Sequence, residues 1–302
     1  MEIFHLPRDI FQDSTSRPDE ANSLASHPDS APEDLIFHHY KASAQTFRGK
    51  CILHRNAISL VISGTKTMHF ADRSVHIRSD EIHLLSAGNC MVTMELARSI
   101  TVESILIFFD NKTLADFHHR YKTQPNGFEP FLNFKKDSFI TNYITSTHLL
   151  LQSGLPFSPE MRRLKFDEIM LYLLEKYPSQ LLAFPLSKSK DLENLGIRKA
   201  VEANIMTGIT LDELAFLCNL STPTFKRRFQ TIYGTSPRKW FLQKRMELAK
   251  ELLLRDGERP GDIYHKLGYE THSSFSQSFK QHFGASPSEF LISHQQSLIS
   301  RP

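Results

Sequence analysis

The chain has 302 residues, a length that suits about two domains, and its 40% hydrophobic and 23% charged residues exclude a disordered or fibrous protein. Its net charge of +3 is unevenly placed: residues 191–302 hold 15 Lys/Arg against 12 Asp/Glu and residues 1–190 hold 21 of each, so a polyanion-binding task belongs to the C-terminal part. Cys51, Cys90 and Cys218 fall at spacings that make neither a disulfide framework nor a zinc site, no apolar run nears the ~18–20 residues of a membrane span, and Met1-Glu2-Ile3-Phe4 lacks the regions of a secretory signal, so a cytoplasmic protein without a membrane partner is expected.

Residues 13–33 are rich in Ser, Pro, Asp and Glu with hardly an apolar residue, and residues 1–33 are expected to be a disordered tail. From Leu35 to Asp110 the pattern is of short strands, over residues 57–63, 66–70, 75–78, 81–85, 91–96 and 102–109, with turn signals between them. Such punctuation predicts a small barrel or sandwich over residues 34–110. Leu60, Ile62, Met68, Phe70 and Met94 are the residues placed to line an apolar effector pocket there, or else to be plain core. His69, His76 and His83 are seven apart, a spacing that inverts the face along a strand, so no metal and no other cofactor is expected. Nucleophile motifs and phosphate-cradling glycine loops are missing, so no enzyme is expected.

Residues 111–186 read as a helical segment that covers the barrel or mediates dimerisation. Asn111-Lys112-Thr113 opens one helix toward Tyr121, Asp137-Ser138 another toward Gln152, and Ser158-Pro159-Glu160 a third with proline at its first position. In the third, Phe166, Ile169, Met170, Leu173 and Leu174 form a broad apolar stripe. One side of it must cover the barrel, and the rest faces either its own domain or a second subunit of a homodimer. Residues 187–194 make a short polar linker.

The stretch from Leu211 to Phe290 is one supersecondary unit written twice, with a period of 50 residues: Phe225 and Phe275, Phe229 and Phe279, Gly234 and Gly284, Pro237 and Pro287. In the first copy Leu211, Leu214, Ala215 and Leu217 give a helical face, Asn219 suits a left-handed turn, and Ser221 caps a helix that carries Phe225 and Phe229 inward. Thr222, Pro223, Lys226 and Arg227 then point outward. In the second copy Ile263 and Leu267 make the first helix, Gly268 the turn, and His272, Ser273 and Gln277 the outward set. Residues 237–254 read as one long helix joining the copies. From Ser221 to Arg255 nine Lys/Arg face two Glu, the footprint of a polyanion partner.

Leu211-x-x-Leu214-Ala215, Ser221-x-x-x-Phe225-x-Arg227-x-Phe229, Gly234-x-Ser236-Pro237, Arg245-Met246-x-Leu248-Ala249, Gly268-Tyr269, Ser274-Phe275-x-x-x-Phe279-Lys280 and Phe283-Gly284-x-Ser286-Pro287-x-x-Phe290 resemble the DNA-binding domain of AraC/XylS-type bacterial transcription regulators over residues 195–292. The strand-rich segment more loosely resembles the cupin-like domain that often precedes it. The resemblance implies an α+β chain: a small cupin-like barrel with packed helices, then an all-α domain whose two helix-turn-helix motifs enter successive major grooves. By position it places DNA contacts at Thr222, Pro223, Lys226, Arg227, Arg228, Lys239, His272, Ser273 and Gln277. Arg227 has the bidentate fork that reads guanine. The family usually has Arg at the place of Gln277 and a small residue at that of Tyr264, which sets the second motif apart. The partners implied are promoter DNA, RNA polymerase for an activator, and a small-molecule effector. An alternative is control by a protein, as in type III secretion activators governed by an anti-activator. A further alternative is a cupin enzyme with an accessory helical domain. Residues 293–302 are expected to be a tail.

Overall fold

The computed structural model describes residues 3–9, 34–43, 47–94, 101–186, 190–255 and 257–299. Two compact units part between Leu192 and Glu193.

The first unit is built on two five-stranded sheets. One has the order β1 (Ile3–Leu6), β3 (Phe47–Leu53), β8 (Gly88–Met94), β5 (Lys66–His69), β6 (Ser74–Ile77). The other runs β10 (Phe131–Lys135), β7 (Glu81–Leu85), β4 (Asn56–Ser63), β9 (Thr101–Phe109), β2 (Leu35–Ser43). Side-chain alternation decides which layer each strand serves. Along β4, Ala57 and Val61 join Cys51, Met68 and Cys90 of the other sheet in a core between the sheets. Ile58 and Leu60 face the opposite way, into a second core with Ile105, Ile107 and the helices. The second sheet is therefore covered on both faces, as its nearly unbroken apolar strands require.

Those helices are α1 (Asn111–Arg120), α2 (Ser138–Gln152), α3 (Pro159–Lys176) and α4 (Pro178–Leu182). Asp110 accepts from Thr113 N, Asp137 from Ile140 N and Ser158 from Met161 N, so the first three start on side-chain caps. The apolar stripe of α3 turns inward: Phe166, Ile169, Met170 and Leu173 are fully buried and Leu174 packs against the same core. The half of the stripe considered for a partner subunit is thus filled by the unit's own sheet and helices.

Four expectations are corrected. The segment read as wholly helical contains β10, which pairs antiparallel with β7 in the register Phe131↔Leu85 to Lys135↔Glu81. Residues 3–6 of the expected tail form a strand parallel to β3, with Ile3 opposite Lys50; residues 10–33 lie outside the described residues. The expected linker is helical from Lys190, where α5 (Lys190–Ala203) begins, and the expected C-terminal tail is largely helical as α11 (Pro287–Ile299).

The second unit continues with α6 (Leu211–Leu217), α7 (Thr222–Tyr233), α8 (Pro237–Leu254), α9 (Pro260–Ile263) and α10 (His272–Phe283) before α11. It has two small cores, and the 50-residue repeat reappears in their ring geometry. Phe229 packs on Phe225, Tyr233 and Trp240 at centroid distances of 5.9, 4.4 and 5.8 Å. At the equivalent offsets Phe279 packs on Phe275, Phe283 and Phe290 at 5.8, 4.6 and 5.4 Å. Helix α8 runs through both cores, with Trp240 and Phe241 in the first and Met246, Ala249 and Leu253 in the second. It joins the motifs as one unit.

Candidate nucleic-acid interface

Helix α6 starts on a capping box in which Thr210 and Glu213 satisfy each other's backbone N–H groups. It ends at Asn219, whose φ of 59° makes the left-handed turn. Ser221 then caps α7, and Gly234 ends it at φ 71°. With Phe225 and Phe229 at 0% exposure the outward face is fixed: Pro223, Lys226 and Arg227 are exposed and Arg228 is half-buried. Thr222 is half-buried and donates its hydroxyl hydrogen to Asp212 Oδ1 at 2.7 Å, which ties the first turn of α7 to α6. That bond holds α7 at its angle.

In the second motif α9 is only four residues long, and the chain then turns through Leu267 to Gly268 at φ 75°. A Cβ at Gly268 would lie 2.8 Å from Thr207 O, so both the left-handed backbone and the close approach call for glycine. The same loop is held from α8 by Arg245, which donates to Ile205 O and Thr207 O at 2.8 and 2.9 Å. Arg245 is therefore a structural clamp within the basic footprint. Lys244 bonds Glu247 on its own helix. Helix α10 exposes His272, Ser273 and Gln277 opposite the buried Phe275 and Phe279. The half-buried Tyr264 ring stands edge-on to His272 at 6.2 Å, so the residue that sets this motif apart touches the start of its outward face. A cleft of about 830 Å³ lies between the motifs, lined by Lys226 and Gln230 of α7, Arg238 of α8 and Ser278 and Gln281 of α10. Lys239 is exposed in the first turn of α8, where the positive end of the helix dipole favours an anion.

Comparison with known proteins agrees with this division. A family model described as the ExsA N-terminal regulatory domain matches residues 56–184, and a helix-turn-helix domain model matches residues 214–292. These matches support the resemblance to AraC-type regulators. It is 28% identical over 161 residues to the virulence regulon transcriptional activator VirF of Yersinia enterocolitica, covering 53% of this chain and 59% of VirF. It is 27% identical over 130 residues to the transcriptional regulator ExsA of Pseudomonas aeruginosa, covering 43% and 47%. The chain thus spans less than two thirds of the length of these curated relatives. Among solved structures, an apo point variant of ToxT from Vibrio cholerae aligns over 86% of this chain and 97% of its own at 15% identity and a TM-score of 0.41. Among the described residues, no helix is long and apolar enough to cross a membrane.

The regulatory-domain match falls on the first unit. The five residues considered for an effector pocket do not share one site. Leu60 and Ile62 belong to the core under the helices, Met68 and Phe70 to the core between the sheets, and the side chain of Met94 lies outside the described residues. The space between the sheets contains instead a polar group that the sequence reading missed. Ser59 and His83 stand opposite each other in the β4–β7 register, and Ser104 stands opposite Val61 in the β4–β9 register. All three are buried, and Ser59 Oγ, Ser104 Oγ and both His83 ring nitrogens have no hydrogen-bond partner; His83 Nε2 lies 3.5 Å from Glu81. The available signal was the serine at an inward position of an otherwise apolar strand, Ala57-x-Ser59-x-Val61.

Burial pushes the His83 imidazole down to about 4, with Glu81 countering in part. Unfolded, the group titrates near 6.5, so below that pH the unfolded chain binds more protons and the first unit loses stability progressively down to about pH 4. The loss is at most about 3 kcal/mol. The melting temperature of His83→Gln is expected to fall less steeply than wild type over this window, and parallel slopes would contradict the assignment.

Proposed function

We propose that the protein is a cytoplasmic, sequence-specific promoter-binding transcription regulator in which α7 and α10 read successive major grooves. The observation that carries this reading is the repeat itself: two capped helices with matching phenylalanine cores, each presenting a short polar face, with the excess of Lys and Arg gathered between Ser221 and Arg255. Lys239 at the start of α8 suits a phosphate, which positions the protein without reading sequence. Arg227 suits a base edge. The relatives named as activators make activation, through RNA polymerase, the favoured sign.

Arg227→Ala is expected to cost about 1–3 kcal/mol and to relax preference at one base pair, whereas Lys239→Ala weakens all sequences alike and lowers the salt dependence. Binding-site selection with each variant measures this, and equal loss across all sequences for both would sink the division of roles.

The first unit is proposed to regulate this activity, with a small molecule as the effector. The unpaired Ser59 and Ser104 hydroxyls and His83 Nδ1 support this, because buried polar groups of this kind are normally satisfied and a ligand with donors and acceptors would pair them. A second reading, control by a protein partner, draws on exposed Leu149, Leu155, Met161 and Leu164 around the α2–α3 turn. Thermal shift of the full-length protein against a metabolite library separates the two. Stabilisation lost in Ser59→Ala with Ser104→Ala favours the small molecule, and stabilisation only by a co-purifying protein favours the partner.

A further inference from the structure

The face of the second sheet that lies under the helices carries a group of side chains that the regulatory reading does not use. Alternation along β2 and β9 puts His39 and Glu103 on that face as diagonal neighbours, since His39 stands opposite Ile105 and Lys41 opposite Glu103. Their contact is 2.7 Å between His39 Nε2 and Glu103 Oε1. Helix α2, which packs on β2, brings in His148, one turn after the buried Ile144. The His39 and His148 rings lie 4.5 Å apart at 51°. One ligand atom from each of His39, Glu103 and His148 falls within 4.8 Å of the others.

A simple ion pair accounts for His39 and Glu103 but leaves His148 unexplained. Its Nε2 is buried with no hydrogen-bond partner. A buried imidazole nitrogen left unpaired costs about 1–3 kcal/mol unless an unseen group satisfies it. From these contacts we propose that His39, Glu103 and His148 form a binding site for a divalent transition metal of the zinc class, which staples helix α2 to the edge strand β2 and its neighbour β9.

The donor set selects the ion. Two imidazoles and one carboxylate suit zinc and its first-row neighbours, whereas calcium and magnesium ask for oxygen ligands throughout. Tetrahedral bonds of about 2.1 Å put ligand atoms about 3.4 Å apart. The His39–Glu103 contact, 2.7 Å, has to open by several tenths of an ångström, and the three ligand atoms start within 4.8 Å of one another. His39 and Glu103 side chains are 28% and 20% exposed, so an ion can enter and a fourth position stays open to water. Binding displaces the His39 Nε2 proton, and Lys41 across from Glu103 is the nearby charge that opposes the ion.

The test uses the full-length protein, stripped with a chelator and titrated with Zn²⁺ alone by calorimetry, with bound metal counted by atomic emission and Co²⁺ used as a spectroscopic probe. One Zn²⁺ per chain, a rise in melting temperature on loading and a tetrahedral Co²⁺ spectrum are expected. His148→Ala and, separately, Glu103→Gln each lower the affinity at least about tenfold. His119→Ala, an exposed histidine on α1, leaves it unchanged. No stoichiometric Zn²⁺, or Zn²⁺ binding unaltered in His148→Ala with the variant folded as wild type, overturns the site.

Discussion

Phe229→Ala is expected to lower the stability of the helix-turn-helix unit by about 3–5 kcal/mol, the usual cost of truncating a fully buried aromatic ring. The ring has no exposed surface and touches Phe225, Tyr233, Trp240 and Phe241, so it fastens α7 to α8. Whole domains are stable by only about 5–15 kcal/mol, and each of the two cores here is small. The loss should therefore free α7 and abolish specific binding even though no outward residue has changed. Phe279→Ala in the second core is expected to match it, because its ring partners recur at the same offsets. Chemical denaturation read at Trp240 measures the first variant. A change below about 1 kcal/mol would mean that the ring is not a core group.

Phe166→Ala is expected to cost the first unit a similar ~3–5 kcal/mol. Phe166 lies 5.1 Å from Phe109 of β9 and 6.3 Å from Phe117 of α1, centroid to centroid, and is fully buried. A core role makes the loss independent of protein concentration. An interface role makes it grow as concentration rises, because association then stabilises the wild type more than the variant. Leu164→Ser on the exposed side of α3 is the control, and it should leave unfolding of the isolated chain nearly unchanged. A variant that folds as wild type but changes the oligomeric state would contradict the placement of Phe166.

The helices of the helix-turn-helix unit were readable because each carries its own boundary chemistry. Ser221, Ser236 and Thr271 accept from backbone N–H groups three residues on, and Gly234 and Gly284 end helices in the left-handed conformation. The outward faces followed from the two buried phenylalanines of each copy. What escaped was set by tertiary pairing. β10 has only five residues and becomes a strand because β7 offers it an edge, and Ile3–Leu6 becomes one because β3 does. The inward set of Ser59, His83 and Ser104 spreads over three strands, and His39, Glu103 and His148 over two strands and a helix. No spacing in the chain announces either, since registers create both. The apolar residues Leu60 and Met68 looked alike in sequence, yet the sheet between the cores separates them. Arg245 counted toward the basic footprint by charge, but two backbone carbonyls claim it.

Whether two helices of one chain read DNA in successive grooves is decided by footprinting on a duplex selected from random sequence by the full-length protein. Two protected, sequence-constrained blocks about one helical turn apart, ~34 Å along the duplex, are predicted, with Arg227→Ala erasing preference within one block only. A single constrained block, unaffected by His272→Ala with Gln277→Ala, would leave α10 without a reading role.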